Sequence, residues 1–206
     1  MTTKILLIRH GETRVSARKI YYGARDVALN RTGIAQAKRL ARRLKKETIH
    51  AVYVSDLSRA RRFAARALQG HRIISTPRLR EINFGAFEGF THEALVKRHP
   101  KLYARWLKNP FQCAIPQGDV LARFRKRIKA YVRGLVRAHR GNTIALVTHA
   151  GPIKILMRDI LKIKDIWTIP IDLASISVVE VQGNKITAVL VNDTSHLTKR
   201  RQVWAR

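Results

Sequence analysis

Two histidines occupy matching places in this chain. His10 directly follows the apolar run Ile5-Leu6-Leu7-Ile8 and Arg9, and His149 follows Thr143 to Thr148; each precedes a glycine, Gly11 or Gly151, within two residues. A neutral imidazole nitrogen is a competent nucleophile toward phosphorus. Arg9 stands beside the first histidine and Arg59 just after a second apolar stretch. The guanidinium group is a planar fork of donors that matches the oxygens of a phosphoryl group. Taken singly, a histidine after a strand reads as structural and Arg59 as surface charge. The pair of histidines at equivalent positions, with arginines at the same rim, points to phosphoryl chemistry.

For these side chains to meet, the elements bearing them must end at one edge. Ile5 to Ile8 has the unbroken apolar character of a buried parallel strand. Ala51 to Val54 predicts a second strand, running into Ser55 and Asp56 as N-cap types for a helix from about Leu57 to Leu68 that Gly70 ends. His71 to Ser75 predicts a third strand, and Thr143 to Val147 another, followed by a helix that can begin at Pro152. Ile34, Ala37, Leu40, Ala41 and Leu44 recur at helical spacing between Asn30 and Lys46, with Asn30 or Thr32 as the cap. Val120, Phe124, Ile128, Tyr131, Val132, Leu135 and Val136 mark a long helix ending near Gly141. Ser175 to Val181 and Ile186 to Val191 read as a hairpin turned at Gly183-Asn184.

The stretch from Pro77 is irregular and carries Glu81, Gly85, Glu88 and Gly89. Thr91 to Leu107 is helical with a break at Pro100, and Asn109 to Gly118 reads as loop. Residues 77–118 are therefore expected as a lobe inserted in a single domain spanning 1–206, and Lys199 to Arg206 as a mobile basic end. The element order predicts an α/β fold: a three-layer α/β/α sandwich with a mostly parallel central sheet, an antiparallel tail and a small inserted helical lobe. Ligands of open α/β sheets bind outside the carboxyl ends of the strands, so His10 and His149 are expected to share a crevice.

Leu7-Ile8-Arg9-His10-Gly11-Glu12-Thr13 resembles the signature of the histidine phosphatase superfamily, in the branch like the cofactor-dependent phosphoglycerate mutases. Ser55-Asp56-Leu57-Ser58-Arg59-Ala60 resembles its second motif, Leu79-Arg80-Glu81-Ile82-Asn83-Phe84-Gly85-Ala86-Phe87-Glu88-Gly89 its acid-bearing loop, and Val147-Thr148-His149-Ala150-Gly151 its second histidine motif. All four stand in family order.

The resemblance implies that His10 is transiently phosphorylated while Arg9, Arg59 and His149 surround the phosphoryl oxygens, and that Glu81 is the proton donor, with no metal or other cofactor required. Glu81's role agrees with the chemistry, because an alkoxide leaving group needs a proton and the ionised carboxyl can take one from attacking water. Burial would raise the pKa of such an acid and nearby arginine would lower it; the sequence leaves that balance open. Gly11 reads equally as a close approach of backbone to phosphate or as a tight turn. The resemblance further implies substrate contacts at Ser16 and Gly23; Gly151 opens a helix whose N-H groups can face phosphoryl oxygens. Glu88 is expected to be structural.

Ser16 stands where relatives commonly have Asn, Phe63 where they have Thr, and Ala28 where they have Pro, while Gln117-Gly118-Asp119-Val120 matches the substrate-side stretch only loosely. The resemblance thus specifies the phosphoryl centre better than the rest of the substrate. Chain length is closer to the sugar-phosphate, broad-specificity and alpha-ribazole phosphatases of the family than to its mutases, so hydrolysis of a small phosphorylated metabolite is expected over phosphoryl migration.

Composition bounds the alternatives. The 206 residues are 46% hydrophobic and 27% charged, enough for a sizeable core and unlike a disordered chain. Against 13 Asp and Glu stand 42 Lys and Arg, a net charge of +29. Such a surface attracts anions, whether phosphorylated substrate, nucleic acid or an acidic membrane, although charge spread from Lys4 to Arg206 also describes solvated faces. A nucleic-acid-binding or scaffolding protein on a phosphatase fold is the competing reading. It lacks support from an interleaved basic and aromatic pattern, aromatic residues being 7%. His50, His71, His92, His99, His139 and His196 show no shared spacing with carboxylates, so no metal site is expected. The lone Cys113 fits a cytoplasmic setting, and no apolar run, Ile5 to Ile8 included, has the length of a signal-peptide core or membrane span.

Overall fold

A computed structural model describes residues 1–197, so the basic end from Lys199 to Arg206 lies outside the described residues. Six strands form one sheet: β1 (Thr2–Arg9), β2 (Ala51–Ser55), β3 (Ile73–Thr76), β4 (Thr143–Thr148), β5 (Ile176–Gln182) and β6 (Lys185–Asp193), in spatial order β3-β2-β4-β1-β5-β6. β3, β2, β4 and β1 run parallel, while β5 and β6 add an antiparallel edge. The chain's apolar runs dictate this placement. β1 and β4 are central and bury both faces, as continuous apolar strands must.

The described residues form seven α-helices: α1 (Arg14–Ala17), α2 (Arg31–Leu44), α3 (Ser58–Ala67), α4 (His92–Arg98), α5 (Pro100–Lys108), α6 (Leu121–Ala138) and α7 (Ala150–Leu161). Alternation along β1 separates two apolar layers. Leu6 and Ile8 pack with Leu40 of α2 and Phe63 of α3, whereas Ile5 and Leu7 pack with Ile128 of α6 and Ile153 of α7. The third cluster, Phe87, Leu95, Tyr103, Trp106, Cys113 and Ile115, is the apolar centre of the α4–α5 segment. Trp167 packs against Trp106 and donates from Nε1 to the Leu107 carbonyl at 3.0 Å, fastening that segment to the chain before β5.

Three local expectations are corrected. Neither Ser55 nor Asp56 caps α3; its N-cap residue is Leu57, with no side-chain cap bond, and the Ser58 N-H is taken by Asp26 Oδ1 at 2.7 Å. Ser55 is engaged elsewhere, as described below, and Asp56 forms a two-pronged pair with Arg80 at 2.7 Å in each arm. α7 begins at Ala150 and not at Pro152, which sits at the third helical position, where a missing N-H costs no intrahelical bond. The third strand also starts at Ile73 and not at His71.

Candidate active site

Register explains why residues so distant in sequence meet. Arg9 of β1 pairs with Thr148 of β4, so the next residue of each strand is a histidine, and the His10 N-H donates to the Thr148 carbonyl at 3.0 Å. β2 lies on the other side of β4, which sets Ser55 beside His149. The rings of His10 and His149 are 5.0 Å apart, edge to face. Between them lies Arg59, from the first turn of α3, whose Nε-H is 3.2 Å from both His10 Nε2 and His149 Nδ1. All three side chains are buried. Arg59 has no carboxylate partner among the described residues; its outer nitrogens donate to the Arg25 and Gly23 carbonyls at 2.6 Å each, and the Tyr22 ring lies 4.8 Å from its carbon centre.

The hydrogen bonds fix both tautomers. His10 Nδ1 is 2.7 Å from the Gly11 carbonyl, which only accepts, so the proton sits on Nδ1 and the Nε2 lone pair faces Arg59. Arg59 only donates, so the neutral His149 ring presents the Nδ1 lone pair to it and points Nε2-H at Ser55 Oγ, 2.8 Å away. Burial, then the neighbouring Arg59 charge, holds both imidazoles well below the usual histidine range. His10 is therefore an uncharged base with an aligned lone pair at neutral pH.

Arg9 projects from the end of β1, donates from Nη1 to the Ile171 carbonyl at 2.5 Å, and leaves its buried Nε without a partner among the described residues. Glu81 lies across the site. Its Oε2 accepts the Gly151 N-H and its Oε1 the Ile82 N-H, both at 3.0 Å. Desolvation raises its pKa, opposed by those two N-H groups and by Arg59 and Arg9. The balance that the sequence leaves open is thus decided by burial, in the direction a proton donor needs.

The structure brings Arg9, His10, Arg59, Glu81 and His149 together, and it gives each of the three residues expected to contact substrate a partner within the protein. Gly151 spends its N-H on Glu81, and a side chain there would collide with Glu81 Oε1, so this glycine seats the carboxyl. Gly23, at φ +33°, offers its carbonyl to Arg59 where any Cβ would meet Glu88 and the Ile82 carbonyl. The Ser16 hydroxyl accepts the Thr13 N-H at 2.8 Å and donates to the Thr13 carbonyl, closing the capping box of α1. Gly11 makes a close helix contact: a Cβ would stand 2.8 Å from the Gly33 carbonyl and 2.9 Å from Phe63.

Glu88 is buried, receives the Phe84 and Ala24 N-H groups, and pairs with Arg25 at 2.8 Å, so it braces the loop. Tyr22, in the stretch after the nucleophile where relatives contact substrate, lies over Arg59, and Ser55 joins the site through His149; the motif that holds Arg59 begins at Ser55, the one signal that pointed to it. Among the described residues no three His, Cys, Asp or Glu side chains group to hold a metal ion, and no helix is long and apolar enough to cross a membrane. A cavity of about 500 Å³ between Phe111, Arg158 and Trp167 includes none of the five clustered residues.

A mixed-sheet α/β fold with a neutral strand-end histidine, a second imidazole and buried guanidinium groups defines a class: enzymes that transfer phosphoryl groups through histidine. The chain belongs to the histidine phosphatase superfamily (branch 1), whose family model matches residues 5–194. It is 27% identical over 198 residues to phosphoserine phosphatase 1 of Hydrogenobacter thermophilus, covering 94% of each chain. It is also 27% identical over 206 residues to the adenosylcobalamin/alpha-ribazole phosphatase of Salmonella typhimurium, covering 98% of each. Among solved structures, a histidine-to-alanine mutant of phosphoserine phosphatase from Entamoeba histolytica in complex with phosphoserine superposes with a TM-score of 0.87 at 26% identity, over 95% of this chain and all of that one.

Proposed function

We propose that this chain hydrolyses a small phosphate monoester in two steps through a phosphohistidine on His10, with Glu81 as proton donor and then acceptor. The observation that carries this reading is the single Arg59 N-H held 3.2 Å from two imidazole lone pairs. A donor at that point marks where a phosphoryl group would lie, between nucleophile and second histidine. In the first step His10 Nε2 attacks phosphorus, the ester P-O bond breaks, and the departing alkoxide takes the Glu81 proton. In the second, water attacks phosphorus, the P-N bond breaks, and Glu81 recovers a proton from that water. The Gly11 carbonyl holds the His10 ring so that Nε2 stays aimed through both steps. Arg9, Arg59 and His149 meet the charge on the phosphoryl oxygens, and such preorganised donors account for most of the catalysis in transfers of this kind.

Hydrolysis is preferred over mutase activity because the named activities of the relatives above favour a phosphatase. Those relatives differ among themselves in substrate, so the reading extends to a small phosphorylated metabolite and no further. The +29 surface would draw such an anion toward the crevice. A panel containing phosphoserine, alpha-ribazole phosphate and 3-phosphoglycerate, run with and without chelator and scored separately for phosphate release and phosphoryl migration, tests the proposal. Release undiminished by chelator is expected; migration without release would make the chain a mutase, and loss on chelation would refute the metal-independent route.

Glu81→Gln gives a second expected outcome. It lowers kcat/KM for alkyl phosphates by about 100-fold or more, the usual scale of a general acid, but kcat/KM for p-nitrophenyl phosphate much less, because this constant reports only the step in which the ester's leaving group departs and that leaving group departs unprotonated. Since burial raises the Glu81 pKa, the wild-type rate on alkyl esters falls on the alkaline side as the carboxyl ionises, and the variant lacks that limb. Values of kcat/KM across pH on both ester types check this, and an equal fall in kcat/KM for the two would leave Glu81 only a positional role in the first step.

A further inference from the structure

Ser55 ends β2, is fully buried, and among the described residues its hydroxyl's hydrogen bond into the site goes to His149. Its Oγ lies 2.8 Å from His149 Nε2 and 3.4 Å from the Leu57 N-H, which donates to it. A hydroxyl has one proton to give and two lone pairs to receive with, so it can face either form of the imidazole nitrogen. A carboxylate or a carbonyl in its place would accept only.

That versatility meets a conflict inside the site. Without a bound anion, His149 must present the Nδ1 lone pair to the Arg59 N-H, with its proton on Nε2. When a dianionic phosphoryl group lies between the histidines, Nδ1 faces an oxygen that only accepts, and a lone pair there would repel it. The ring must then carry a proton on Nδ1. A second proton would do this by making an imidazolium. Charged groups act on the ring from several elements: Arg9 from β1, Arg59 from α3 and Arg127 from α6, with His10 just past the end of β1, and all of them, like burial, oppose that charge.

We propose that Ser55 is a positioning residue that lets His149 exchange tautomers while staying neutral: it accepts from Nε2-H before substrate arrives and donates its own proton to Nε2 when a phosphoryl group is bound. One proton arrives at Nδ1 from water or from the monoester monoanion, and one leaves Nε2 for water, so the ring charge is unchanged. This rests on the phosphohistidine reading above but makes a separate claim, about the state of the second ring.

Histidine-15N-labelled protein, examined by long-range proton–nitrogen NMR with and without saturating inorganic phosphate, reads the tautomers directly. The expected result is His149 protonated on Nε2 without phosphate and on Nδ1 alone with it, while the His10 signals shift but keep the proton on Nδ1. If His10 responds and His149 becomes doubly protonated or stays on Nε2, the Ser55 inference fails and the phosphohistidine reading stands. If neither ring responds to phosphate, both fail.

The companion variant Ser55→Ala, with folding checked by circular dichroism, is expected to lose about 10- to 100-fold in kcat/KM, with its optimum moved toward acid, where only the imidazolium can still offer Nδ1-H. Ser55→Thr, which keeps the hydroxyl, is expected to recover most of the rate and the original pH profile. A loss in the alanine variant that is uniform across pH would reduce Ser55 to packing and overturn the proposal.

Discussion

His10→Ala is expected to abolish turnover of every phosphate ester the wild-type protein hydrolyses, including p-nitrophenyl phosphate, while the thermal transition stays cooperative. The size of the effect follows from what the residue supplies. Its Nε2 lone pair is the group aligned on the Arg59 N-H, and the bond from Nδ1 to the Gly11 carbonyl prevents the ring from offering the wrong nitrogen. Removing a covalent nucleophile commonly costs about a million-fold in kcat, the scale seen when a hydrolase loses its nucleophile or its base. Folding should survive because the packing of β1 rests on Ile5 to Ile8 and not on the strand-end ring. Steady-state kinetics beside circular dichroism would check both parts, and wild-type-like rates in the folded variant would end the assignment. His10→Gln should be no better, since a carboxamide keeps polarity but has no nucleophilic lone pair on nitrogen.

Arg59→Ala carries the second large effect, about 2 to 4 kcal/mol of transition-state stabilisation, or roughly 30- to 1,000-fold in kcat/KM, as for loss of one preorganised donor. The side chain is held before substrate arrives: the Gly23 and Arg25 carbonyls accept from its outer nitrogens, Tyr22 covers it, and Asp26 takes the first N-H of the helix that carries it. A buried guanidinium with carbonyl partners and no carboxylate partner among the described residues keeps its charge available for an incoming anion. Arg59→Lys should recover little, because an ammonium group lacks the fork that holds two carbonyls and aims a third N-H between two rings. Inhibition by inorganic phosphate should weaken in parallel with kcat/KM in both variants. Unchanged rate constants in Arg59→Ala would mean that the residue plays no part in transition-state binding.

Much of the fold could be read from the chain because its informative patterns are local. The apolar run before His10 and the one before His149 are central parallel strands, Pro100 begins α5, Asn30 caps α2 by accepting the Gly33 N-H, and the Gly183-Asn184 turn joins β5 to β6. What escaped the sequence depends on partners far away along the chain. Ser55 looks like a helix cap because its type and position suit one, yet the ring of His149, one strand over, takes its hydroxyl. The N-terminus of α3 is satisfied by Asp26 across a loop, and no spacing rule connects residues 26 and 58.

The site divides along the same line. Arg9, His10, Arg59, Glu81 and His149 could be named from motifs because chemistry restricts their types, whereas nothing in the sequence shows that Ser16, Gly23 and Gly151 also hold α1, Arg59 and Glu81. Glycine and serine serve many purposes, so their identity alone says little about which neighbour they meet. The pKa of Glu81 is of this kind as well, since desolvation and arginine act in opposite directions and only the packed site shows which prevails.

Trapping the covalent intermediate tests the central claim most directly. The protein would be mixed with a turnover substrate, quenched into denaturing alkali within the first turnovers, digested and mapped by mass spectrometry. One phosphoryl group is expected on the peptide that contains His10, stable to base and lost in mild acid, and absent from His10→Ala. Phosphate release in a burst with the label on any other residue would contradict the account.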